Sequence, residues 1–280
     1  MSGKLYICPT PIGNLEDITF RVINTLKTVD LVAAEDTRHS LKLMNHFDIH
    51  TPLTSYHEHN RIEKAHVLVD KLLQGTNIAL ITDAGTPAIS DPGEELVRQA
   101  IRAGITVTSL PGACACITAL TMSGLSTRRF AFEAFLPSGK KERNIILEEL
   151  KEETRTIVLY EAPHHLKKTL TELRATLDNR AITLCREITK KYEECIYTTL
   201  DDAIAMYEST DPRGEYVIIV EGCSRKAKQA KQMQQFSNIS IREHVDNYIA
   251  SGMDKKEAMK QVAKDRGISK RDVYNELIND

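Results

Sequence analysis

Along this chain, short apolar runs alternate with longer stretches in which apolar residues recur at helical spacing. The runs at 5–7, 31–34, 53–56, 78–81 and 106–110 have the length and abrupt ends of buried strands. Between them, Phe20, Ile23 and Leu26 mark one amphipathic helix and Ile62, Ala65, Leu68 and Leu72 another. Further helices are predicted over 40–47, over 94–103, and from the small-residue run 113–116 to 123. The helix over 94–103 carries its own start signal: Asp91 as N-cap, Pro92 at the first helical position and Glu94 to complete a capping box. Strands and helices in this alternation predict α/β architecture with a mostly parallel sheet.

From about Phe130 the pattern changes. Phe130 and Phe132 alternate with smaller residues, as on one face of a half-buried strand. A helix to about 150, a strand over 156–160, a helix over 165–177 and a strand over 181–185 follow. Residues 193–199 alternate like an antiparallel strand, 200–207 read as a short helix, and 216–220 form a last apolar run. The second half is therefore predicted to be mixed, with a boundary near 123–128. Beyond it, a Gln-rich linker with Arg225, Lys226, Lys228 and Lys231 leads to three short amphipathic helices over 241–250, 255–264 and 269–277, for which Asp254 and Ser269 are natural N-caps. The expected units are 1–124, 125–223 and 224–280.

In open α/β sheets, ligands sit just beyond the carboxyl ends of strands, and here those ends are polar. Thr82-Asp83-Ala84-Gly85-Thr86-Pro87 offers a carboxylate, two hydroxyls and a glycine that permits close backbone approach; a tight connection with no ligand would account for the same residues. Glu35-Asp36-Thr37-Arg38 is a second candidate segment, although Asp36 or Thr37 could simply cap the next helix. The loop Cys8 to Asn14, with two prolines and a glycine, is rigid but lacks the glycine patterns of a dinucleotide site or a P-loop. His57-x-His59 has no third ligand at useful spacing, so no metal is predicted. In the second half, Glu161 and Glu187 suit a ligand hydroxyl, a ribose or a basic side chain. Arg186, Lys190 and Lys191 suit a phosphate backbone, or form no more than surface ion pairs.

Composition narrows the class. Hydrophobic residues make up 41% and charged residues 27%, as in an ordinary globular protein, and the formal net charge is −2. No apolar run is long enough for a membrane span, and the chain enters a strand without the apolar core of a secretion signal. Six scattered cysteines with no C-x-x-C pair argue against a disulfide framework and for a cytoplasmic protein. In Cys114-Ala115-Cys116, residues two apart on a helix would face different ways, which predicts two buried thiols rather than a metal or redox pair. From Arg225 onward, 12 Lys/Arg stand against 8 Asp/Glu, so the tail is positive while the rest is negative. A compact basic helical unit suggests a nucleic-acid partner, with a small docking bundle as the alternative.

Several motifs in order carry a resemblance over nearly the whole chain. Pro9-Thr10-Pro11-Ile12-Gly13-Asn14-Leu15-Glu16-Asp17-Ile18-Thr19, Ala34 to Arg38, Thr82 to Gly93 and Leu110-Pro111-Gly112-Ala113 resemble the tetrapyrrole-methylase superfamily. Together with Tyr160-Glu161-Ala162-Pro163-His164, Arg186-Glu187-Ile188-Thr189-Lys190 and Gly214-Glu215-Tyr216-Val217, they resemble more narrowly the bacterial ribosomal RNA small-subunit methyltransferase I family. The resemblance implies a two-domain class III methyltransferase fold with a small helical C-terminal module. It implies S-adenosylmethionine-dependent methylation of the ribose 2′-oxygen of cytidine 1402 in 16S rRNA, within the small ribosomal subunit, by a homodimer.

By position, Pro11, Asp83, Gly85, Thr86, Cys114 and Ala115 would line the methionine and ribose parts of the cofactor, and Tyr160, Glu161, Glu187, Glu215, Tyr216 and Val217 the adenosine. Methyl transfer to a ribose hydroxyl calls for a general base; Glu35 and Asp36 are the candidates. Asn14 and Arg38 would orient the ribose and its phosphate, with Lys190 and Lys191 on the RNA backbone. The chain departs from its relatives in three places: the first loop is not Gly-rich as in tetrapyrrole methylases, Cys114 stands where serine is frequent, and His165 where arginine is expected. Two other functions fit the same features, a methyltransferase for a tetrapyrrole or other small molecule and a non-catalytic RNA-binding ribosome assembly factor.

Overall fold

The computed structural model describes residues 1–224, 236 and 239–278. The basic linker residues Arg225, Lys226, Lys228 and Lys231 lie outside them. Five strands, β1 (Lys4–Ile7), β2 (Leu31–Ala34), β3 (Leu53–Ser55), β4 (Ile78–Ile81) and β5 (Thr106–Ser109), form a parallel sheet in the order β3-β2-β4-β1-β5. Because successive side chains on a strand face opposite ways, Ile78 and Leu80 pack with Leu5 and Ile7 under α3 (Arg61–Leu73) and α4 (Gly93–Arg102). Ala79 and Ile81 pack with Val32 and Ala34 against α1 (Phe20–Thr28) and α2 (Thr37–His46). With both faces covered, the inner strands β2 and β4 read as continuous apolar runs, whereas the edge strands β3 and β5 carry Thr and Ser.

Two details of the helices differ from expectation. In α1 the buried stripe is Val22 and Leu26, and Phe20 is 87% exposed. Thr19 caps the helix by accepting from the Val22 N–H, which leaves Phe20 at the first position, turned away from the sheet. At α4 the helix starts at Gly93, and the Asp91 carboxylate accepts from the N–H groups of Gly93 at 2.7 Å, Ala88 at 2.9 Å and Ile89 at 3.2 Å. Asp91 therefore caps the helix and clasps the preceding loop. Glu94 does not close the box; it pairs with Arg98.

The second sheet runs β6 (Phe130–Phe135), β7 (Thr156–Glu161), β10 (Tyr216–Val220), β8 (Ala181–Arg186), β9 (Glu194–Thr199). Only β6 and β7 are parallel, as the mixed pattern predicts. One face, including Ile157, Leu159, Ile182, Leu184 and Ile218, packs on α6 (Lys140–Leu150), α7 (Pro163–Leu177) and α8 (Leu200–Glu208). The other face, with Val158, Cys185, Val217 and Ile219, receives α5 (Ala115–Met122) through Cys116, Ala119 and Leu120. The helix that ends the first unit in sequence thus packs on the sheet of the second.

A bulge interrupts β6 between Phe132 and Ala134, where Ala134 takes φ 52°. The extra residue brings Phe135 onto the side of Phe132, so both rings lie against Tyr160, at 5.5 and 5.0 Å between centroids. The tail helices α9 (Ile241–Ala250), α10 (Lys255–Arg266) and α11 (Lys270–Ile278) share a small core of Val245, Ala258, Met259, Val262 and Val273. Among the described residues, no helix is long and apolar enough to cross a membrane.

Candidate active site

The polar loops after β1, β2, β4 and β5 are tied into one wall. Thr10 and Gly85 exchange backbone hydrogen bonds at 2.9 and 3.0 Å, and the Thr10 hydroxyl donates to the Thr82 carbonyl at 3.0 Å. Gly85 sits at φ +87°, a conformation that favours glycine, and a Cβ there would press on Ile12 Cγ2 at 3.2 Å. The Thr86 hydroxyl donates to the Ala113 carbonyl at 2.8 Å, joining the loop after β5. Asp83 accepts from the Asp36 N–H at 3.1 Å, and the Thr82 hydroxyl donates to Glu35 Oε2 at 2.7 Å, joining the loop after β2.

The second sheet supplies the facing wall. The Tyr160 hydroxyl accepts from the Cys116 N–H at 3.1 Å, across to the start of α5. Glu161, only 5% exposed, accepts from the Ala162 N–H at 2.9 Å and from the Thr169 hydroxyl. Thr169 is in turn bound by the buried Arg143, whose guanidinium also reaches Glu172 at 2.6 Å. Glu187 accepts from the Glu215 N–H at 3.0 Å, and Lys190 bridges Glu187 at 3.1 Å and Glu215 at 2.8 Å. Gly13 of the first loop lies against this bridge: a Cβ there would come within 2.4 Å of Lys190 Cγ.

Between the walls lies a cavity of about 570 Å³. The structure brings to it Glu35, Asp83, Gly85, Thr86, Cys114, Ala115, Tyr160, Glu161, Glu187, Lys190, Glu215, Tyr216 and Val217, from segments far apart in sequence. Five candidates lie outside its lining. Pro11 is half-buried next to the lining residue Ile12. Asn14 caps the short turn Leu15–Asp17, accepting from the Glu16 N–H at 3.1 Å. The Asp36 carboxylate accepts from the Arg38 N–H at 2.8 Å and pairs with the Arg38 guanidinium at 3.1 Å, while the Arg38 side chain is 90% exposed. The Lys191 ammonium stands 5.5 Å from the centre of the Tyr192 ring. Lys190, placed on the RNA backbone by sequence, is engaged by two carboxylates within the cavity wall.

Charge states follow from these neighbours. Hydrogen bonds from the Arg38 side chain and backbone hold the Asp36 carboxyl down at about 2. Burial pushes the Asp83 carboxyl above its ordinary value; the Asp36 N–H opposes this and nearby Glu35 adds to it. Burial also raises Asp91, against the three N–H groups it accepts from. The Glu215 N–H, and then the Lys190 ammonium, hold Glu187 low in spite of its desolvation. Burial opposes the charge on Lys190, but Glu215 and Glu187 together raise it above the usual value.

Sequence reasoning missed several lining residues. Asp91 was legible only as a cap, and Phe135 depends on the bulge in β6. Ser90, at φ 66°, and Glu187, at φ 50°, line the cavity in left-handed conformations, and their neighbours Ala88 and Thr189 share that geometry at 68° and 67°. Non-glycine residues held this way store strain, and such strain concentrates at ligand sites. No residue type at these positions announces it.

The family model for tetrapyrrole (corrin/porphyrin) methylases matches residues 4–204. Ribosomal RNA small subunit methyltransferase I of Halalkalibacterium halodurans is 51% identical over 273 residues, covering 98% of this chain and 94% of the relative. The chain belongs to this methylase family. The protein of the same name from Bacillus subtilis is 48% identical over 98% of this chain and 93% of its own length. Among solved structures, uroporphyrin-III C-methyltransferase from Thermus thermophilus, complexed with S-adenosylhomocysteine, matches at a TM-score of 0.56 and 17% identity, covering 78% of this chain and 97% of that one. At that identity the likeness speaks for the fold alone; the family model covers the first sheet and the second as far as β9, and ends before β10 and the helical tail.

Proposed function

We propose that this protein methylates the ribose 2′-oxygen of cytidine 1402 in 16S rRNA, with S-adenosylmethionine as the cofactor. The observation that carries the reading is the 51% identity, over 98% of the chain, to a relative named as a ribosomal RNA small subunit methyltransferase. On this reading the enzyme works in the cytoplasm as a homodimer on the small ribosomal subunit. A cavity of about 570 Å³ lies within the range of cofactor sites. Its donor set suits a molecule rich in hydroxyl and amino groups: Glu161 and Glu187 accept hydrogen bonds, and Gly85 lets backbone come close. Asp83, Gly85, Thr86, Cys114 and Ala115 would hold one end of the cofactor, and Tyr160, Glu161, Glu187 and the strand start at Glu215 to Val217 the other.

S-adenosylmethionine, when bound, supplies a methyl group on a sulfonium, open to in-line attack. The protein's part is then to align the ribose hydroxyl and remove its proton. Alignment of two reactants supplies much of such a rate enhancement. Glu35 is the better placed of the two candidate bases: it lines the cavity, and the Thr82 hydroxyl fixes one of its oxygens. Asp36 is committed to Arg38 and the start of α2, and a carboxyl titrating at about 2 has little proton affinity. Arg38, almost wholly exposed beside Asp36, is available to an incoming phosphate.

The test is transfer of labelled methyl groups to 30S particles lacking the modification, followed by nucleoside mapping. Label on the 2′-oxygen of cytidine 1402 is the expected result. Label on a base, or transfer to a tetrapyrrole and none to the particle, overturns the reading.

A further inference from the structure

We propose that Cys114 and Cys116 form a peroxide-sensitive dithiol in the wall of the cavity, whose closure to a disulfide weakens cofactor binding. The helix rule that separates residues two apart does not apply here. Cys114 is the residue before α5, with extended backbone at φ −149° and ψ 110°, and only Ala115 and Cys116 are helical. The turn from extended to helical backbone folds the two sulfurs to 3.4 Å. Cys114 is half-buried and lines the cavity; Cys116 is buried behind it. A disulfide needs the sulfurs at about 2.05 Å, so closing the pair draws them together by about 1.4 Å at the turn into α5.

The two thiols are also differentiated. The Cys116 thiol above all, and then the N–H groups opening α5, draw the Cys114 thiol down to about 6 against its burial. The same pairing, followed by burial, pushes Cys116 up. Cys114, the more readily ionised of the two and the one that faces the cavity, is thus the sulfur that attacks, and Cys116 the thiol that resolves. In the first step the Cys114 thiolate takes one oxygen from hydrogen peroxide, forming a sulfenic acid; the other oxygen leaves as water after picking up a proton. In the second, the Cys116 sulfur displaces that hydroxyl, the S–S bond forms, and the thiol proton leaves with the hydroxyl as a second water. Peroxide is reduced and two thiols are oxidised.

Closure acts on the wall it belongs to. Cys114 follows Ala113, whose carbonyl holds Thr86, and the Cys116 N–H holds Tyr160, so both lobes are attached to the moving segment. The consequence for the cofactor rests on the proposal that this cavity is its site; the dithiol itself does not. Cys185 and Cys195, paired across β8 and β9 with sulfurs 2.7 Å apart, serve as an internal comparison in the same molecule.

The experiment treats the full chain with hydrogen peroxide, blocks remaining thiols with N-ethylmaleimide, and maps cysteine states by peptide mass spectrometry. Expected is a disulfide between Cys114 and Cys116, reversed by dithiothreitol, formed about tenfold more slowly under saturating S-adenosylhomocysteine. In calorimetry the oxidised protein should bind S-adenosylhomocysteine about tenfold more weakly than the reduced one. In Cys116→Ser, dimedone should trap Cys114 as the sulfenic acid. A disulfide at Cys185–Cys195 alone, or Cys114 driven to sulfinic acid while Cys116 stays a thiol, overturns the proposal. Unchanged affinity in a protein shown to carry the Cys114–Cys116 disulfide overturns the link to binding. If the reduced protein binds no S-adenosylhomocysteine, the cofactor reading of the cavity fails, while the peroxide mapping still decides the dithiol.

Discussion

Glu35 and Asp36 are neighbours in sequence with different surroundings. One carboxylate faces the cavity, with Thr82 holding an oxygen; the other starts a helix and binds an arginine. Glu35→Gln should reduce methyl transfer by about a hundredfold or more, the usual contribution of a general base, while calorimetry finds S-adenosylhomocysteine affinity preserved. Asp36→Asn, which keeps an N-capping side chain, should retain most activity; a loss as large as that of Glu35→Gln would reverse the assignment. For Cys114, alkylation by iodoacetamide in the folded protein should rise through pH about 6, far below the ordinary thiol value of 9.0. Because the folded value is depressed, thiolate formation stabilises the fold fully above pH 9.0, less as pH falls, and not at all below about 6. Cys116→Ala removes the largest cause of the depression, so the alkylation midpoint should move upward. The identities of these residues were visible in the sequence. Their roles were not, because what a carboxylate or thiol can do depends on neighbours brought in by folding: Thr82 fixes an oxygen of Glu35, and the turn into α5 brings Cys114 against Cys116.

Elements were legible where period and punctuation agreed. The strands at 31–34 and 78–81 and the helix ending at 177 stand where the pattern predicts them. What the pattern misplaced depends on partners. Phe20 fits a helical stripe, yet the sheet meets the Val22–Leu26 face; Phe135 reaches Tyr160 only because β6 bulges; α5 crosses to the second sheet. The set Arg143, Thr169, Glu161 and Glu172 spans β7, α6 and α7, and no local signal connects its members. Arg143→Met should cost about 2 kcal/mol in urea unfolding, through loss of the charged hydrogen bonds to Glu172 and to the buried Thr169 hydroxyl. It should also weaken S-adenosylhomocysteine binding, since Thr169 loses the partner that orients it toward Glu161.

At the scale of the whole molecule, the two sheets with α5 enclose the cavity, while the tail carries a core of its own. A chain ending at Ser224 should therefore keep S-adenosylhomocysteine affinity near that of the full protein and lose methyl transfer to 30S particles. Full activity of the truncated chain on 30S particles would remove the tail from RNA recognition. The sequence by itself determined the α/β class, the parallel first sheet and mixed second one, and the motifs that mark the family. Each of these rests on local periodicity or on residue types in order, and both survive in a linear string. The tertiary structure decided which polar strand ends meet, that α5 seals one lobe against the other, that Lys190 is held between two carboxylates, and that Cys114 and Cys116 face each other. Those outcomes depend on distances between segments remote in sequence, and packing sets such distances only once the sheets have formed.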